Sequence, residues 1–265
     1  MVTRAHKGRG AVSRPAGRFE QRVVELDEDV ARARADKTPQ TELRATKAGR
    51  IISTNTSPDV PFDLSINPYQ GCEHGCVYCY ARPSHSYLDL SPGLDFETRI
   101  FYKSNAPARL LAAWEAQNYE CKPITIGANT DPYQPAEKSL ELTRQLLELF
   151  LEYRHPVTLI TKSHLVERDI DLLGALASRN LCSVAISVPT LDDELKRIME
   201  PRVPSAASRL KAMRLLVDNG IPASALVAPV IPAINDTEIE SVLEAVADAG
   251  ASQAHYIFLR LPHEL

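Results

Sequence analysis

Residues 67–80 read Asn67-Pro-Tyr-Gln-Gly-Cys72-Glu-His-Gly-Cys76-Val-Tyr-Cys79-Tyr80 and hold three of the five cysteines of the chain. The thiols follow a C-x3-C-x2-C spacing, directly after a candidate strand at Ser65–Pro68. Thiolates are soft ligands that suit zinc and iron–sulfur clusters. Glycines at positions 71 and 75 let a short loop wrap closely around a metal centre. The segment therefore predicts a metal-binding loop.

The number of cysteines favours an iron–sulfur cluster over zinc. A structural zinc site usually has four protein ligands, so zinc here would have to recruit His74, Cys121 or Cys182. A closed electron-carrier cluster also needs a fourth cysteine. Cys121 and Cys182 lie far along the chain, and we expect both to be ordinary buried thiols. We therefore expect the loop to hold a [4Fe–4S] cluster with one open iron; a non-catalytic zinc or iron–sulfur scaffold is the alternative.

Beyond residue 60, short runs with β-branched residues alternate with amphipathic stretches, which is typical of β-α units around a parallel sheet. The candidate strands are Ser65–Pro68, Ile124–Gly127, Val157–Thr161, Ser183–Val188, Ala225–Pro229 and His255–Leu259. The candidate helices are Ala106–Trp114, Leu140–Glu152, Glu167–Ser178, Ala206–Asn219 and Glu238–Ala249, the fourth with Gly220 as its C-cap. The pattern predicts an α/β fold, a partial (β/α)6 TIM-like barrel over residues 61–265. A closed eight-unit barrel needs more chain, so we expect a C-terminal tail beyond Leu265 to be missing.

Residues 1–60 differ from the rest in composition. They mix basic residues, Pro, Gly and Thr, and the first fifty hold twelve Lys and Arg against seven Asp and Glu. A short charged stretch at Val23–Ala35 is a candidate helix. We expect a flexible N-terminal extension, with a nucleic-acid-binding arm as the alternative.

The composition limits the class of protein. The 265 residues are 44% hydrophobic, enough to bury a core without disulfides. No apolar run has the length of a signal peptide or a membrane span, so we expect a soluble cytoplasmic protein with no membrane partner. The net charge of −4 gives no global reason to bind nucleic acid. Nothing in the composition determines the oligomeric state.

The cysteine loop, with an aromatic residue before its last cysteine, resembles that of the radical S-adenosylmethionine (SAM) superfamily. The resemblance implies that Cys72, Cys76 and Cys79 bind a [4Fe–4S] cluster whose open iron binds SAM. It also implies that an electron from the cluster cleaves SAM to methionine and a 5′-deoxyadenosyl radical, which abstracts hydrogen from a substrate. A reductase such as flavodoxin or ferredoxin would supply the electron.

Later segments are similar to the spore photoproduct lyase branch of that superfamily, from about Ile66 to Leu265. The matching segments are Cys76–Tyr80, Gly127–Gln134, Leu159–Lys162, Ala185–Ser187, Glu200–Pro201 and Val227–Val230. One position departs from the branch. The lyases have a hydrogen-donating cysteine before the Asp-containing motif, where this chain has Ala128. The lyase reaction on a thymine dimer therefore does not carry over directly.

The cofactor-binding candidates lie on the loop and at the strand ends, where barrel enzymes place their chemistry. They are Tyr78, Tyr80, Asn129, Thr130, Asp131, Lys162, Ser187 and Ala228. Aromatic faces suit the sulfonium. Polar strand-end groups suit the amino group, carboxylate and ribose of SAM, and the backbone at position 228 suits the adenine. Packing, a turn, solvation and strand termination are the alternative explanations for these residues. The sequence identifies no catalytic residue beyond cofactor binding.

Substrate contacts are expected at the barrel mouth. The candidates are Arg82, His85, Tyr87, Tyr133 and Gln134, with structural support for the cysteine loop as the alternative role. Arg202 is a candidate to bind an anionic group of cofactor or substrate, with a surface ion pair as the alternative. Nucleic acid is the first substrate hypothesis, which would make the enzyme lyase-like in DNA repair or modification; a peptide or small metabolite is the alternative.

Overall fold

A seven-stranded sheet forms the framework of the computed structural model, which describes residues 8–19, 39–57 and 60–261. Its strands are β2 (Ile52–Thr54), β3 (Leu64–Ile66), β6 (Ile124–Ile126), β7 (Val157–Thr161), β8 (Cys182–Ser187), β9 (Ala223–Val230) and β10 (Gln253–Phe258). The spatial order is β10-β9-β8-β7-β6-β3-β2. All neighbours from β3 to β10 pair in parallel, and β2 pairs antiparallel with β3. The six parallel strands confirm the predicted partial (β/α)6 barrel.

Helices follow the strands and cover the outside of the sheet. They are α1 (Leu94–Thr98), α2 (Ala106–Trp114), α3 (Glu137–Leu140), α4 (Leu142–Glu152), α5 (Ile170–Ala177), α6 (Asp193–Met199), α7 (Ala206–Asp218) and α8 (Ile239–Asp248). Short 3-10 helices span Arg82–Leu88, His164–Asp169 and Asp236–Glu238. The main core lies between the sheet and these helices, with fully buried residues such as Leu146, Val184 and Leu216. No helix in the described part of the chain is long and apolar enough to cross a membrane.

All five helices predicted beyond residue 60 occur: Ala106–Trp114 matches α2 to the residue, and the other four have shifted ends. The predicted Leu140–Glu152 divides at Glu141, whose φ of 50° separates α3 from α4. The predicted Glu167–Ser178 begins as a 3-10 helix before α5. Gly220 adopts a φ of 71°, directly after Asn219, which is the C-cap of α7. The sequence did not predict the short helices α1 and α6. They have five and seven residues, which are too few to show a helical period of apolar residues.

A second, three-stranded sheet lies beside the first. It contains β1 (Glu42–Thr46), β4 (Tyr69–Gln70) and β5 (Arg99–Lys103), in the order β1-β5-β4. β1 runs parallel to β5, and β4 runs antiparallel to it. The last two residues before the cysteine loop are therefore held by strand pairing.

Part of residues 1–60, which we expected to form a flexible extension, is folded into the two sheets. β1 and β2 both fall within it, and both pair with strands of the following region. Their backbone N–H and C=O groups are satisfied by distant strands, which a local sequence pattern does not reveal. The predicted helix at Val23–Ala35 lies outside the described residues.

Candidate metal and cofactor site

The cysteine loop leaves β4 through a tight glycine turn. Gly71 has a φ of 82°, and a Cβ there would lie 2.9 Å from both His85 Cε1 and the Phe96 carbonyl oxygen. The next residue, Cys72, donates its N–H to that same carbonyl at 2.9 Å. Only glycine fits the first position of the loop without displacing its neighbours.

A buried ion pair lies beneath the loop. Arg82 is 1% exposed, and its Nη2 lies 2.6 Å from Oε1 of Glu97, which is fully buried. The same guanidinium donates to the Cys76 carbonyl from Nε at 3.1 Å and from Nη2 at 2.8 Å. Because arginine presents its donors in a rigid fork, the pair fixes the loop backbone at the second cysteine.

Gln134 bridges the other side of the loop. Its Nε2 donates to the Gly71 carbonyl at 3.1 Å, and its Oε1 accepts the Glu73 N–H at 3.1 Å. The side chain is fully buried. The loop that follows β6 therefore holds the backbone on both sides of Cys72.

The N-terminal strap, which we define as Gly8–Phe19, runs along the outside of the loop. Arg9 is 8% exposed and donates to the Glu97 carbonyl at 2.8 Å. The backbone N–H groups of Gly10 and Ala11 donate to the Glu97 carboxylate at 3.1 and 2.8 Å. One buried carboxylate thus joins the strap to the arginine that holds the cysteine loop.

The strap and the loop approach each other at two glycines. A Cβ at Gly10 would lie 1.9 Å from the Gly75 carbonyl oxygen. Gly75 itself has a φ of 67°, and a Cβ there would lie 2.9 Å from Oε2 of Glu97. Sequence reasoning missed Arg9, Gly10 and Glu97, because contacts over more than 60 residues leave no local pattern.

A single cavity brings together most of the predicted site residues. All three loop cysteines line it, together with Tyr78, Tyr80, Ala128, Asn129, Asp131, Lys162, Ser187 and Ala228. The remainder of the wall includes His74 and apolar side chains from the strand ends, among them Ile160, Leu226 and Ile257. Thr130 is the exception. It is 3% exposed and donates its hydroxyl to the Tyr69 carbonyl at 2.9 Å, behind the cavity wall.

Asp131 joins the ends of β6 and β7. Its carboxylate accepts bonds from the Thr161 hydroxyl and the Lys162 N–H, both at 2.7 Å, and from the Tyr133 N–H at 2.9 Å. His74 Nδ1 lies 3.3 Å from its Oδ2. Burial raises the pKa of Asp131, but the charge and hydrogen bond of His74, with those further donors, lower it below its usual value. The carboxylate is therefore ionised and already fully engaged by the protein.

The tyrosines on either side of Cys79 have different partners. The Tyr78 hydroxyl donates to Glu200, whose Oε2 lies 2.8 Å from Nη2 of Arg209, both fully buried. Arg209 also donates to the Ser187 carbonyl at 2.8 Å. This chain of contacts ties the cysteine loop to the end of β8.

Tyr80 and Lys162 stand closer to the cavity opening. Tyr80 is 58% exposed, and its hydroxyl donates to the Ala128 carbonyl. The Lys162 ammonium lies 5.9 Å from the centre of the Tyr78 ring. A cation and two aromatic rings thus share the wall that also carries the cysteines.

Most of the residues expected to form the barrel mouth lie elsewhere. Arg82, His85, Tyr133 and Gln134 are at most 1% exposed, so the alternative of structural support is confirmed for Arg82 and Gln134. Only Tyr87, at 74% exposure, is on the surface, where it contacts Phe19 of the N-terminal strap. The residue type alone did not show which way each side chain points.

Arg202 does not line the cavity. Its Nη2 lies 3.3 Å from Oε1 of Glu73, on the outside of the cysteine loop. Its N–H donates to the His74 carbonyl at 3.3 Å. Of the two explanations given for Arg202, the ion pair is the one that occurs, and it braces the cysteine loop.

The donor set fits a three-cysteine cluster. Cys121 is exposed, which corrects the expectation of a buried thiol, and Cys182 is buried with its Sγ 3.2 Å from the Leu173 carbonyl oxygen. Neither lines the cavity, so no fourth cysteine converges there. Burial raises the pKa of Cys76 well above its usual value, and the Glu200 charge adds to this. A thiolate at this position needs a nearby positive charge, which cluster iron provides.

The same donors do not surround a single ion. In the described ranges, no group of three or more His, Cys, Asp or Glu side chains is placed to hold one metal ion. A tetrahedral zinc ion would draw four such donors to about 2.0–2.3 Å of one point. A cluster bound by three cysteines does not require the thiols to converge on one ion, since its ligands bind different irons.

Comparison with known proteins supports this interpretation. The family model of the radical SAM superfamily matches residues 66–246. An uncharacterized protein of Mycobacterium tuberculosis is 35% identical over 195 residues, 73% of this chain and 57% of its own length. An uncharacterized protein of Methanocaldococcus jannaschii is 31% identical over 198 residues, 74% of this chain and 71% of its own length. The chain thus spans little more than half the length of the mycobacterial relative.

Solved structures share the fold. A spore photoproduct lyase with bound AdoMet and dinucleoside spore photoproduct superposes with a TM-score of 0.64 at 17% identity, over 91% of this chain and 68% of that chain. The barrel, its cysteine loop and the family match agree with the resemblance found in the sequence. Enzymes of the matched family use a [4Fe–4S] cluster and SAM. This chain belongs to the radical S-adenosylmethionine superfamily.

Proposed function

We propose that this chain is a radical enzyme in which Cys72, Cys76 and Cys79 hold a [4Fe–4S] cluster and the strand ends bind SAM beside it. The observation that carries the proposal is the single cavity lined by the three thiols and by the polar ends of β6, β7 and β8. When bound, the cluster supplies the electron that cleaves SAM to methionine and a hydrogen-abstracting 5′-deoxyadenosyl radical.

The polar residues of the cavity orient SAM in this proposal. Lys162 pairs with the carboxylate of SAM, since a charge-assisted hydrogen bond is the strongest contact that the wall offers. Ser187 and Asn129 bond the ribose or the amino group. The backbone at Ala228 shapes the adenine pocket. Tyr78 and Tyr80 present aromatic faces to the sulfonium.

Asp131 takes a positioning role instead of the SAM contact expected from sequence. Its oxygens already accept bonds from Thr161, Tyr133 and the Lys162 backbone, and His74 lies beside them. It therefore fixes the backbone of Lys162 and the ring of His74 relative to the cysteine loop. Thr130, which lies behind the wall, holds the same loop through the Tyr69 carbonyl.

The apolar wall excludes water from the reacting atoms. Ile160, Leu226, Ile257 and Phe258 line the same cavity as the cysteines. A carbon radical abstracts hydrogen from whatever lies within reach, so exclusion of solvent and firm placement of the substrate protect the reaction. These side chains supply the dry surface.

Nucleic acid is the proposed substrate class. Its supports are the resemblance to the spore photoproduct lyase branch, the shared fold, and the basic composition of the first fifty residues. Ala128 lacks the weak S–H bond through which a cysteine returns a hydrogen atom to a product radical, so the proposed reaction ends differently from the lyase reaction. A peptide or small metabolite remains the alternative substrate.

The test is production of 5′-deoxyadenosine. Anaerobically reconstituted protein, incubated with dithionite and SAM, is analysed by chromatography. The wild type and Cys182→Ala, whose thiol lies outside the cavity, should form the product, and Cys76→Ala should not. A wild type that assembles the cluster, binds SAM and forms no product, with and without DNA oligonucleotides, would overturn the proposal.

The substrate class needs a separate measurement. SAM-derived 5′-deoxyadenosine is analysed by mass spectrometry after incubation with deuterated DNA or with deuterated peptides. Deuterium in the product with DNA alone supports nucleic acid. Deuterium with peptides alone supports the alternative.

A further inference from the structure

We infer that Asn235 is a positioning residue for the adenine half of SAM: its side-chain amide fixes the bulged backbone at Ala228–Pro229 against the end of β8. The inference rests on the proposed function, in which the backbone at Ala228 shapes the adenine pocket. Asn235 does not itself line the cavity, whereas Ala228 and Pro229 do. It therefore acts through the residues that form the wall.

The strand β9 departs from regular pairing at Ala228–Pro229. Its register with β10 passes from Val227 opposite Tyr256 to Val230 opposite Phe258. Two residues of β9 therefore lie opposite one residue of β10, which is the arrangement of a β-bulge. Because a bulge interrupts the ladder, the pairing with β10 does not by itself fix this part of the cavity wall.

The ladder between β8 and β9 ends just before the bulge. Its last registered pair is Ser187 and Leu226, and the Val188 N–H still donates to the Leu226 carbonyl at 2.9 Å. The next residue after Val188 is Pro189, and the bulge contains Pro229. Since proline has no N–H, these two residues cannot extend the ladder by donating to each other, and their carbonyls need donors from elsewhere.

The Asn235 side chain supplies those donors. Its Nδ2 donates to the Pro189 carbonyl at 2.7 Å and to the Pro229 carbonyl at 2.9 Å. Its Oδ1 accepts the Ile231 N–H at 2.7 Å. The residue is 2% exposed. Both N–H groups and the oxygen of the amide are engaged, so the side chain replaces a rung of the ladder between the ends of β8 and β9.

The loop between β9 and α8 turns this one side chain inward. Among residues 231–238, Asn235 alone is buried. At the end of the loop, the Glu238 carboxylate accepts the Thr190 hydroxyl at 2.6 Å and the Leu191 N–H at 2.9 Å. The segments that follow β8 and β9 are thus joined at two points, and the bonds of Asn235 are the ones that reach the bulge.

The bonds of Asn235 set the distance between two parts of the proposed SAM site. Ser187 lies two residues before Pro189, and Ala228 lies directly before Pro229. The cysteines and Lys162, which receive the methionine half of SAM in the proposed function, are held by other contacts. Loss of the two amide donors should therefore weaken binding of the adenosine half and spare the methionine half.

The experiment measures binding of SAM and of its two halves, methionine and 5′-deoxyadenosine. Labelled compounds are dialysed against reconstituted protein without reductant. Asn235→Asp keeps the shape and the acceptor of the side chain but not its two N–H donors. We expect the affinities for SAM and 5′-deoxyadenosine to fall at least about 10-fold and the affinity for methionine to stay unchanged. Asn235→Ala, which adds no charge, should show the same difference between the halves.

The matched control is Asn105→Asp, at a side chain that also bridges backbone groups. Its Nδ2 donates to the Ala48 carbonyl at 3.0 Å, and its Oδ1 accepts the Ala48 N–H at 2.8 Å, away from the cavity. This variant should bind all three compounds as the wild type does.

The inference is overturned if both Asn235 variants bind 5′-deoxyadenosine with wild-type affinity. It is also overturned if they lose the cluster, or lose methionine binding to the same extent, because either result would show a general structural role. Failure of the proposed function looks different: the wild type itself would then form no 5′-deoxyadenosine from SAM with dithionite, whatever the variants bind.

Discussion

The Cys76 carbonyl accepts two hydrogen bonds from Arg82, one from Nε at 3.1 Å and one from Nη2 at 2.8 Å. The proposed ligands therefore sit on a loop whose backbone is fixed from below by a buried cation. Glu97 balances that cation, and the N-terminal strap covers Glu97. The position of the thiols depends on groups that never touch the cluster.

Arg82→Lys should loosen the loop while keeping the buried charge. Lysine cannot supply the two donors that Arg82 directs at Cys76, and a hydrogen bond from a charged group is worth about 1.5–3 kcal/mol. We expect iron release to a chelator to be at least about 10-fold faster. Arg44→Lys, at an exposed ion pair with Glu42, is the control and should release iron at the wild-type rate. Equal rates for both variants and the wild type would contradict the role given to Arg82.

Gly10→Val should detach the N-terminal strap from the loop. The new Cβ would overlap the Gly75 carbonyl oxygen at 1.9 Å. We expect faster hydrogen exchange at the amides of residues 75–77 and faster proteolysis of the strap. Gly49→Val makes the same change where nothing lies within 4 Å of the new Cβ, and it should leave both rates unchanged. Unaltered exchange in Gly10→Val would show that the strap does not support the loop.

Lys162→Ala should separate SAM binding from cluster binding. The side chain lines the cavity but supplies no ligand to iron, so the absorbance of the cluster should be retained. Loss of a charge-assisted bond of about 1.5–3 kcal/mol predicts SAM affinity lower by roughly 10- to 100-fold. Equilibrium dialysis with labelled SAM measures this, with Lys211→Ala, an exposed lysine on α7, as the control. If Lys162→Ala lost the cluster and still bound SAM, the assignment would be wrong.

Glu200→Leu should lower the stability of the fold more than replacement of both Glu200 and Arg209 by leucine. Arg209 would stay fully buried without the carboxylate that lies 2.8 Å away. Breaking a buried pair from one side costs about 3–5 kcal/mol, whereas apolar replacement of both partners is often near neutral. Urea unfolding of the metal-free protein should therefore rank Glu200→Leu/Arg209→Leu above Glu200→Leu in stability. The reverse order would mean that Arg209 stabilises the fold even without Glu200, through its hydrogen bond to the Ser187 carbonyl.

The sequence predicted the barrel because its signal is local and repeated. Val157–Thr161 is predicted as a strand, and alternate residues of that strand are buried in the structure. Ala106–Trp114 has helical spacing, and its predicted bounds match those of α2 to the residue. Helix ends were less predictable. The break at Glu141 requires a left-handed residue whose backbone N–H bonds to the Glu137 carbonyl, and neither residue type signals it.

The cavity was predicted for a similar reason. Lys162 and Ser187 end adjacent parallel strands, so topology alone brings them to one edge of the sheet. The direction of a side chain beyond a strand end is not fixed by topology. Thr130 was expected to line the cavity and lies behind its wall.

The sequence by itself determined the cysteine spacing, the order of β and α units, and the edge of the sheet where the strand ends meet. These follow from neighbouring residues, whose periodicity and ligand chemistry can be read along the chain. Only the tertiary structure decided that Arg9, Glu97, Arg82 and Gln134 hold the loop. Their contacts join segments up to 88 residues apart, and polar groups buried there are stable only because the folded chain supplies partners that no local pattern specifies.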